Sequence, residues 1–143
     1  MTSRALIPEI FVRGLYPLLL VASFLILLRG HNAPGGGFIG GLMAVSASAA
    51  YALVFSPQKA LARLPLSPLR LAGAGILLAL TSGLPATLQQ LPVLSHPWWT
   101  ISVGGLELAV STVMLFDFGV YLAVWGAIGG VCLLLIDAIE EEV

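Results

Sequence analysis

Few side chains in this chain can do chemistry. Seven carboxylates, six lysines and arginines and two histidines are spread over 143 residues. One carboxylate, Asp117, falls inside the apolar stretch from Leu108 to Ile136. An isolated charge at a bilayer centre costs on the order of a few kcal/mol or more, so such a carboxyl needs water, a cation or a buried partner. Asp117 is therefore the first candidate for ion or proton chemistry, and a satisfied structural hydrogen bond is the alternative reading. Tyr121 follows one helical turn later on the same side. Glu107 stands at the entrance of the stretch, where an acid is favourable for the helix dipole alone. His31 can exchange protons near neutral pH, or can serve only as a turn residue. Nothing here composes an enzyme: there is no nucleophile with a matching base, no histidine–carboxylate metal spacing and no haem signature. A lone cysteine, Cys132, excludes an intramolecular disulfide and a cysteine-based metal cluster. The expectation is a chain without covalent chemistry, cofactor or fixed metal. Its net charge of -1 offers no basic patch for nucleic acid.

The elements that must position these residues follow from composition. The chain is 59% hydrophobic and only 9% charged, whereas soluble domains are about one quarter charged. Spanning a bilayer takes about 20 apolar residues in a helix. The gaps between charges give four such spans, near Ile10–Leu28, Gly36–Phe55, Leu69–Leu88 and Ala109–Ile136. The expected fold is an all-α integral membrane protein, one transmembrane domain over residues 1–143 with short loops. The first span reads as a retained helix, since no small-residue cleavage site follows it. Pro17 inside it predicts a kink. Pro57, Pro65 and Pro68 punctuate the link to the third span. Thr100 to Leu108 alternates in polarity around Gly104-Gly105, which fits a small β-hairpin or an irregular lead-in to the fourth helix. Arg4, Arg13, Lys59, Arg63 and Arg70 fall on one side of a four-span chain and Arg29 on the other. That asymmetry predicts cytoplasmic termini. Trp98 and Trp99 read as interfacial anchors, and the acidic tail from Asp137 to Glu142 as a solvated end.

The link between the first two spans is more specific than a turn requires. The run from His31 to Gly41 holds five of the chain's sixteen glycines. A phosphate loop would need a following Lys and Ser/Thr and a preceding strand, and Phe38 and Ile39 stand there instead. In the second helix Gly36, Gly40, Ala44 and Ser48 recur every four residues, with Gly37 and Gly41 beside them. Small residues let membrane helices approach closely, so this helix should pack on protein. In the fourth helix Gly119, Ala123, Gly126 and Gly130 gather on one side, nearly opposite Asp117, Tyr121, Val124 and Ile128. Both faces are thus committed. Four helices are expected to be too few to cover both, which predicts a subunit embedded among other membrane subunits.

Two runs carry a family resemblance. Gly30-His31-Asn32-Ala33-Pro34-Gly35-Gly36-Gly37-Phe38-Ile39-Gly40-Gly41 resembles the signature of the MnhB family, the B-type subunits of the Mrp (Mnh) multisubunit Na+/H+ antiporters. Phe116-Asp117-Phe118-Gly119-Val120-Tyr121-Leu122-Ala123-Val124-Trp125-Gly126 is similar to the family's second signature. The resemblance implies a small subunit of a bacterial plasma-membrane complex that exports Na+ as it takes up H+, related to the membrane arm of complex I. Its implied partners are the other antiporter subunits, the lipid bilayer, and Na+ and H+ as cargo. An MnhB-like subunit of a membrane-bound hydrogenase, or of another complex I-related pump, with a mainly structural role is the alternative. The resemblance points to Asp117 as lining a cation route with transient Na+ nearby, and to Tyr121, Glu107 and His31 as further path residues. Pro34, Gly35, Gly36, Gly37, Phe38, Gly40 and Gly41 then form a structural joint. One carboxylate is too little for a sodium site, so backbone carbonyls or partner groups must complete it.

Overall fold

A computed structural model of the protein describes residues 3–30, 35–88, 92, 98–103 and 106–141. The described elements are α1 (Ser3–Arg29), α2 (Gly36–Val54), α3 (Pro57–Leu61), α4 (Pro68–Thr81), α5 (Leu84–Leu88), β1 (Trp98–Val103), β2 (Leu106–Ser111) and α6 (Thr112–Glu141). Four helical stretches are long and apolar enough to cross a membrane: Leu6–Arg29, Gly36–Val54, Pro68–Thr87 and Thr112–Glu140. The four expected spans are therefore present, with different edges.

Those edges differ for physical reasons. The first helix starts at Ser3, not near Ile10, and continues through Pro8 and Pro17. Charges at Arg4, Glu9 and Arg13 end the apolar run without ending the helix, because charge sets hydropathy and not backbone geometry. The third span is divided at Ser82-Gly83 into α4 and α5. The break falls at Gly83, a residue of poor helix propensity, and just before Pro85, which has no amide to donate. The fourth helix starts at Thr112, not at Ala109, because Ala109 to Ser111 pair in β2.

The alternating segment is the hairpin. Strands β1 and β2 run antiparallel, from Trp98 opposite Ser111 to Val103 opposite Leu106. Gly104 and Gly105, between the two strands, lie outside the described residues. The short helix α3 was not foreseen. Pro57 occupies its first turn, and the Ser56 hydroxyl accepts from the Lys59 amide at 3.2 Å. This is an ordinary N-cap with proline just inside it.

Helices α2 and α6 form the centre. Helix α1 lies antiparallel on α2, and α4 lies antiparallel on α6. The two glycine stripes of α2 serve different neighbours. Gly36 and Gly40 meet the backbone of α1 at Gly30, Ile26 and Ser23, whereas Gly37 and Gly41 meet α6 at Asp117, Tyr121 and Val124. Beyond the glycines, Ala44, Ala47, Ser48 and Ala52 continue the small, buried surface.

The opposite face of α6 is as close to α4. Gly119 meets Gly75 and Ala79, Gly126 meets Pro68 and Ala72, and Gly130 meets Pro68. Ala123 faces Gly75. The expectation that four helices could not cover both faces of α6 is therefore incorrect. The glycine and alanine face is covered by α4 alone, because such residues bring the axes close, and the Asp117 face is covered by α2 together with the end of α1 as far as Trp125. The need for other subunits does not follow from α6 itself.

These contacts give a paired test. A Cβ on Gly75 would run into the backbone of Gly119 and Ala123, whereas one on Gly73 would meet nothing within 4 Å. Gly75→Ala is expected to destabilise the purified protein by about 1–3 kcal/mol through overpacking. Gly73→Ala is expected to be neutral or to stabilise by up to about 1 kcal/mol through helix propensity. Thermal unfolding in detergent measures both.

Candidate functional site

The site is built where three helix ends meet. Gly30 follows the last residue of α1, and its amide donates to the Leu27 carbonyl at 3.0 Å. Gly35 precedes α2 with φ of 98°, a left-handed conformation that a side chain would strain. Its carbonyl accepts the Ile39 amide at 3.0 Å, which starts the helix. Asp117 lies in the second turn of α6. Gly30 and Gly37 are placed directly against it: a methyl on Gly30 would collide with the Asp117 carboxylate, and one on Gly37 with the Asp117 carbonyl.

Asp117 is consequently only 8% exposed. Its carboxylate lies among the C-terminal end of α1 and the first turn of α2. Unpaired carbonyls at a helix C-terminus draw cations, and unpaired amides at an N-terminus draw anions. The residue thus stands where both kinds of helix end are close at hand. Burial is achieved by backbone approach, not by bulky side chains.

A polar line continues inward from it along α6. Tyr121, one turn further, is buried and shares a 3.0 Å hydrogen bond with the Ser23 hydroxyl of α1. Ser23 Oγ also donates to the Leu20 carbonyl at 2.7 Å, so the Tyr121 hydroxyl is the donor of the shared bond. Another turn on, Trp125 Nε1 donates to Ser48 Oγ of α2 at 3.0 Å, and Ser48 donates to the Ala44 carbonyl at 2.9 Å. The rings of Tyr121 and Trp125 meet edge to face at 5.8 Å. Residues 117, 121 and 125 therefore line one side of α6, facing α1 and α2. Each of these hydroxyl and indole groups has a protein partner, as a membrane interior requires.

Not every expected residue joins this group. Val124 packs on Gly41 as part of the same face, whereas Ile128 is exposed. Phe38 of the glycine-rich run is also exposed, and so does not close over Asp117. Gly119, Ala123, Gly126 and Gly130 form the opposite, α4-facing side of α6. Glu107 lies on β2 opposite Ser102, and its side chain lies outside the described residues. His31 and Pro34 lie outside them as well. At the far end of α6 Asp137 accepts a hydrogen bond from Gln58 Nε2 at the exposed surface. Cys132 is a free thiol, half-buried against the core.

Sequence reading missed Ser23, Ser48 and Trp125 as parts of the polar line. Ser48 carried a signal, since it lies on the small-residue stripe, but Ser23 stands alone in an apolar run. Gly75 was also missed, although Ala72, Gly75 and Ala79 repeat at helical spacing. The Tyr121–Ser23 bond is open to a double-mutant cycle with Tyr121→Phe and Ser23→Ala. A coupling of about 0.6 kcal/mol is expected, the usual size for hydrogen bonds between membrane helices. Reversible unfolding in mixed micelles measures it, and strict additivity would mean that the bond contributes nothing.

Comparison with known proteins gives the family of the chain. The family described as "Domain related to MnhB subunit of Na+/H+ antiporter" matches residues 7–130. The chain is 38% identical over 128 residues to the B-type subunit of the Na+/H+ antiporter of Bacillus subtilis, covering 87% of this chain and 85% of that protein. It is 33% identical over 127 residues to the Na+/H+ antiporter subunit of the same name in Alkalihalophilus pseudofirmus, with the same two coverages. Among solved structures, a chain of the Mrp complex from Dietzia sp. DQ12-45-1b superposes with a TM-score of 0.73 at 33% identity. That match covers 92% of this chain and 14% of the other, so this chain corresponds to a small part of that one. With the match extending over both glycine-rich stripes of α2 and the Asp117 turn of α6, this four-span membrane chain belongs to the MnhB-related family.

Proposed function

We propose that this chain is the small B-type membrane subunit of a multisubunit cation/proton antiporter in the bacterial plasma membrane, and that it contributes to Na+ export driven by H+ uptake. Family membership and the two relatives named as B-type antiporter subunits support the assignment. Its partners are the other membrane subunits of that complex. It is a component of a transporter, not an enzyme, and Na+ and H+ are its cargo. Arg13 of α1 and Arg63 beyond α3 lie together at the end opposite Arg29. The positive-inside rule then puts that end, with both termini, in the cytoplasm.

Within this role Asp117 lines the outer part of a cation route. The observation that carries the reading is a carboxylate buried by apposed glycines where α1 ends and α2 begins. A sodium ion prefers several oxygen ligands. Carbonyls released at the end of α1, together with groups from neighbouring subunits, are the natural complement to one carboxylate. The nearby N-terminus of α2 works against tight cation binding, which suits an ion that must leave again. Tyr121 holds α6 to α1 directly beneath the acid. Glu107, which precedes α6 in the chain, and His31, in the link between α1 and α2, are proposed for the entrance on their sequence positions alone.

A mainly structural role is the second reading, including that of an MnhB-like subunit in a hydrogenase-type complex. The fit of Gly30 and Gly37 against Asp117 favours it, since the acid could serve only to lock three helices. Asp117→Asn separates the two, because it keeps the shape and removes the charge. Complex assembly and sodium-dependent proton flux are measured in vesicles. The ionic role requires normal assembly with flux reduced at least about tenfold, the scale of one lost charge contact of about 1.4 kcal/mol or more. Normal flux would remove Asp117 from the cation route, and lost assembly would leave the structural reading.

A further inference from the structure

Helix α1 has a second surface that its own bundle leaves open. Val12, Tyr16, Ser23 and Leu27 are buried on the side toward α2 and α6. Ile7, Phe11, Gly14, Leu18, Val21 and Leu25 lie about half a turn away, and all are exposed. They follow one another at alternating steps of four and three residues, which makes one continuous seam along the helix. Gly14 leaves a hole in it between Phe11 and Leu18: among the described residues, a Cβ there would meet nothing within 4 Å.

Within the hydrocarbon layer an exposed apolar face needs only lipid. This seam runs past that layer. Helix α2 begins beside Gly30, is long enough to span the membrane in 19 residues, and runs antiparallel to α1. Its last turn is therefore level with Val12 and Arg13. The Arg13 guanidinium carbon accordingly lies 5.4 Å from the centre of the Phe55 ring, just past that turn. The turns of α1 that precede Val12 thus stand beyond the end of α2. There the usual distribution of side chains is inverted. Ile7, Ile10 and Phe11 are 75%, 70% and 65% exposed. The side chain of Glu9, between them in the chain, is only 29% exposed in its 3.9 Å pair with Arg13. A helix face that meets water carries its polar residues outward. A contiguous apolar patch marks a contact surface instead, and beyond the hydrocarbon layer that contact is with protein.

The spacing of the seam states the kind of partner. Steps of four and three are the repeat along which a second helix packs at a small crossing angle, and a glycine in such a seam lets the partner approach closely. We infer that a helix of a neighbouring membrane subunit packs lengthwise on α1 from Ile7 to Leu25, continues with it past the edge of the hydrocarbon layer, and sets a side chain into the hole at Gly14. Acyl chains would cover Leu18, Val21 and Leu25 but not Ile7, so lipid alone does not complete this surface. The inference rests on the chain being one subunit of a multisubunit complex. It holds whether or not Asp117 conducts.

The test uses the intact complex in native membrane vesicles. Benzoylphenylalanine replaces Phe11, Leu18 or Leu25 in turn, and after illumination the adducts are purified through a tag on this chain and identified by mass spectrometry. All three positions are expected to cross-link to one and the same neighbouring subunit. Adducts to lipid alone, to a second copy of this chain, or to different subunits from the two ends overturn the seam. In parallel, Gly14→Phe fills the hole without meeting any described residue of its own chain. It should leave this chain in the membrane at the wild-type level and reduce the co-purified neighbour several-fold. Unchanged co-purification overturns the close approach at Gly14. If Gly14→Phe lowers the level of the chain itself, the cross-links, which leave Gly14 intact, decide. A wild-type chain that co-purifies with no other membrane subunit would overturn the subunit assignment, and the seam with it, whereas lipid adducts within an assembled complex overturn the seam alone.

Discussion

Helix α6 is gripped by backbone on both sides, and most of the remaining structure depends on that contact. Gly37 and Gly41 of α2 press on one face, and Gly75 of α4 meets Gly119 and Ala123 on the other. Lipid tails are as apolar as leucine, so hydrophobic burial does little to draw helices together inside a membrane. Close approach has to supply the attraction through dispersion, which fades within an ångström of added distance. A single Cβ at these positions would hold the axes apart. Glycine content, high for its usual destabilising effect in helices, is here the condition for association.

The same close approach creates the environment of Asp117. Because Gly30 and Gly37 have no side chains, three helix ends converge on the acid and exclude lipid from it. Larger residues would have left the carboxylate either exposed or displaced from the helix ends that surround it. Directly below, hydrogen bonds from Tyr121 to Ser23 and from Trp125 to Ser48 tie α6 to α1 and then to α2. The α6 face that carries the acid is therefore polar where it meets α1 and α2, and the face toward α4 is small and featureless. One helix combines a packing surface and a candidate ion surface because the two stripes are about half a turn apart.

Four spans were legible because hydropathy and charge spacing state them directly. The Asp117 face and the opposing Gly119–Gly130 stripe were legible as well, since both follow from helical periodicity. The hairpin was visible as alternation about Gly-Gly, but so was an irregular segment, and only cross-strand pairing distinguishes them. Gly83 and Pro85 divided the third span and the cap at Ser56 added α3, local backbone effects that a hydropathy pattern does not carry. The partners of Ser23 and Ser48 were not legible, because a serine bonded across a bundle and one bonded to its own helix look the same in sequence.

Sequence by itself determined that this chain lies in a membrane, how many times it crosses, and which residues of each helix share a face. Those properties depend on composition and on the 3.6-residue period, which are local. It also marked Asp117 as the one carboxyl within an apolar helix, with its burial left to the tertiary structure, and placed the chain in its family through the motifs around it. Tertiary structure alone decided which helix lies on which face. It divided the adjacent stripes of α2 between α1 and α6, and covered the second face of α6 with α4 instead of another subunit. It also brought Arg13 and Arg63, fifty residues apart, onto one aromatic pair. Small residues specify that a helix will be closely packed, but carry no record of the neighbour, because a surface of glycine and alanine fits many partners until the whole bundle selects one.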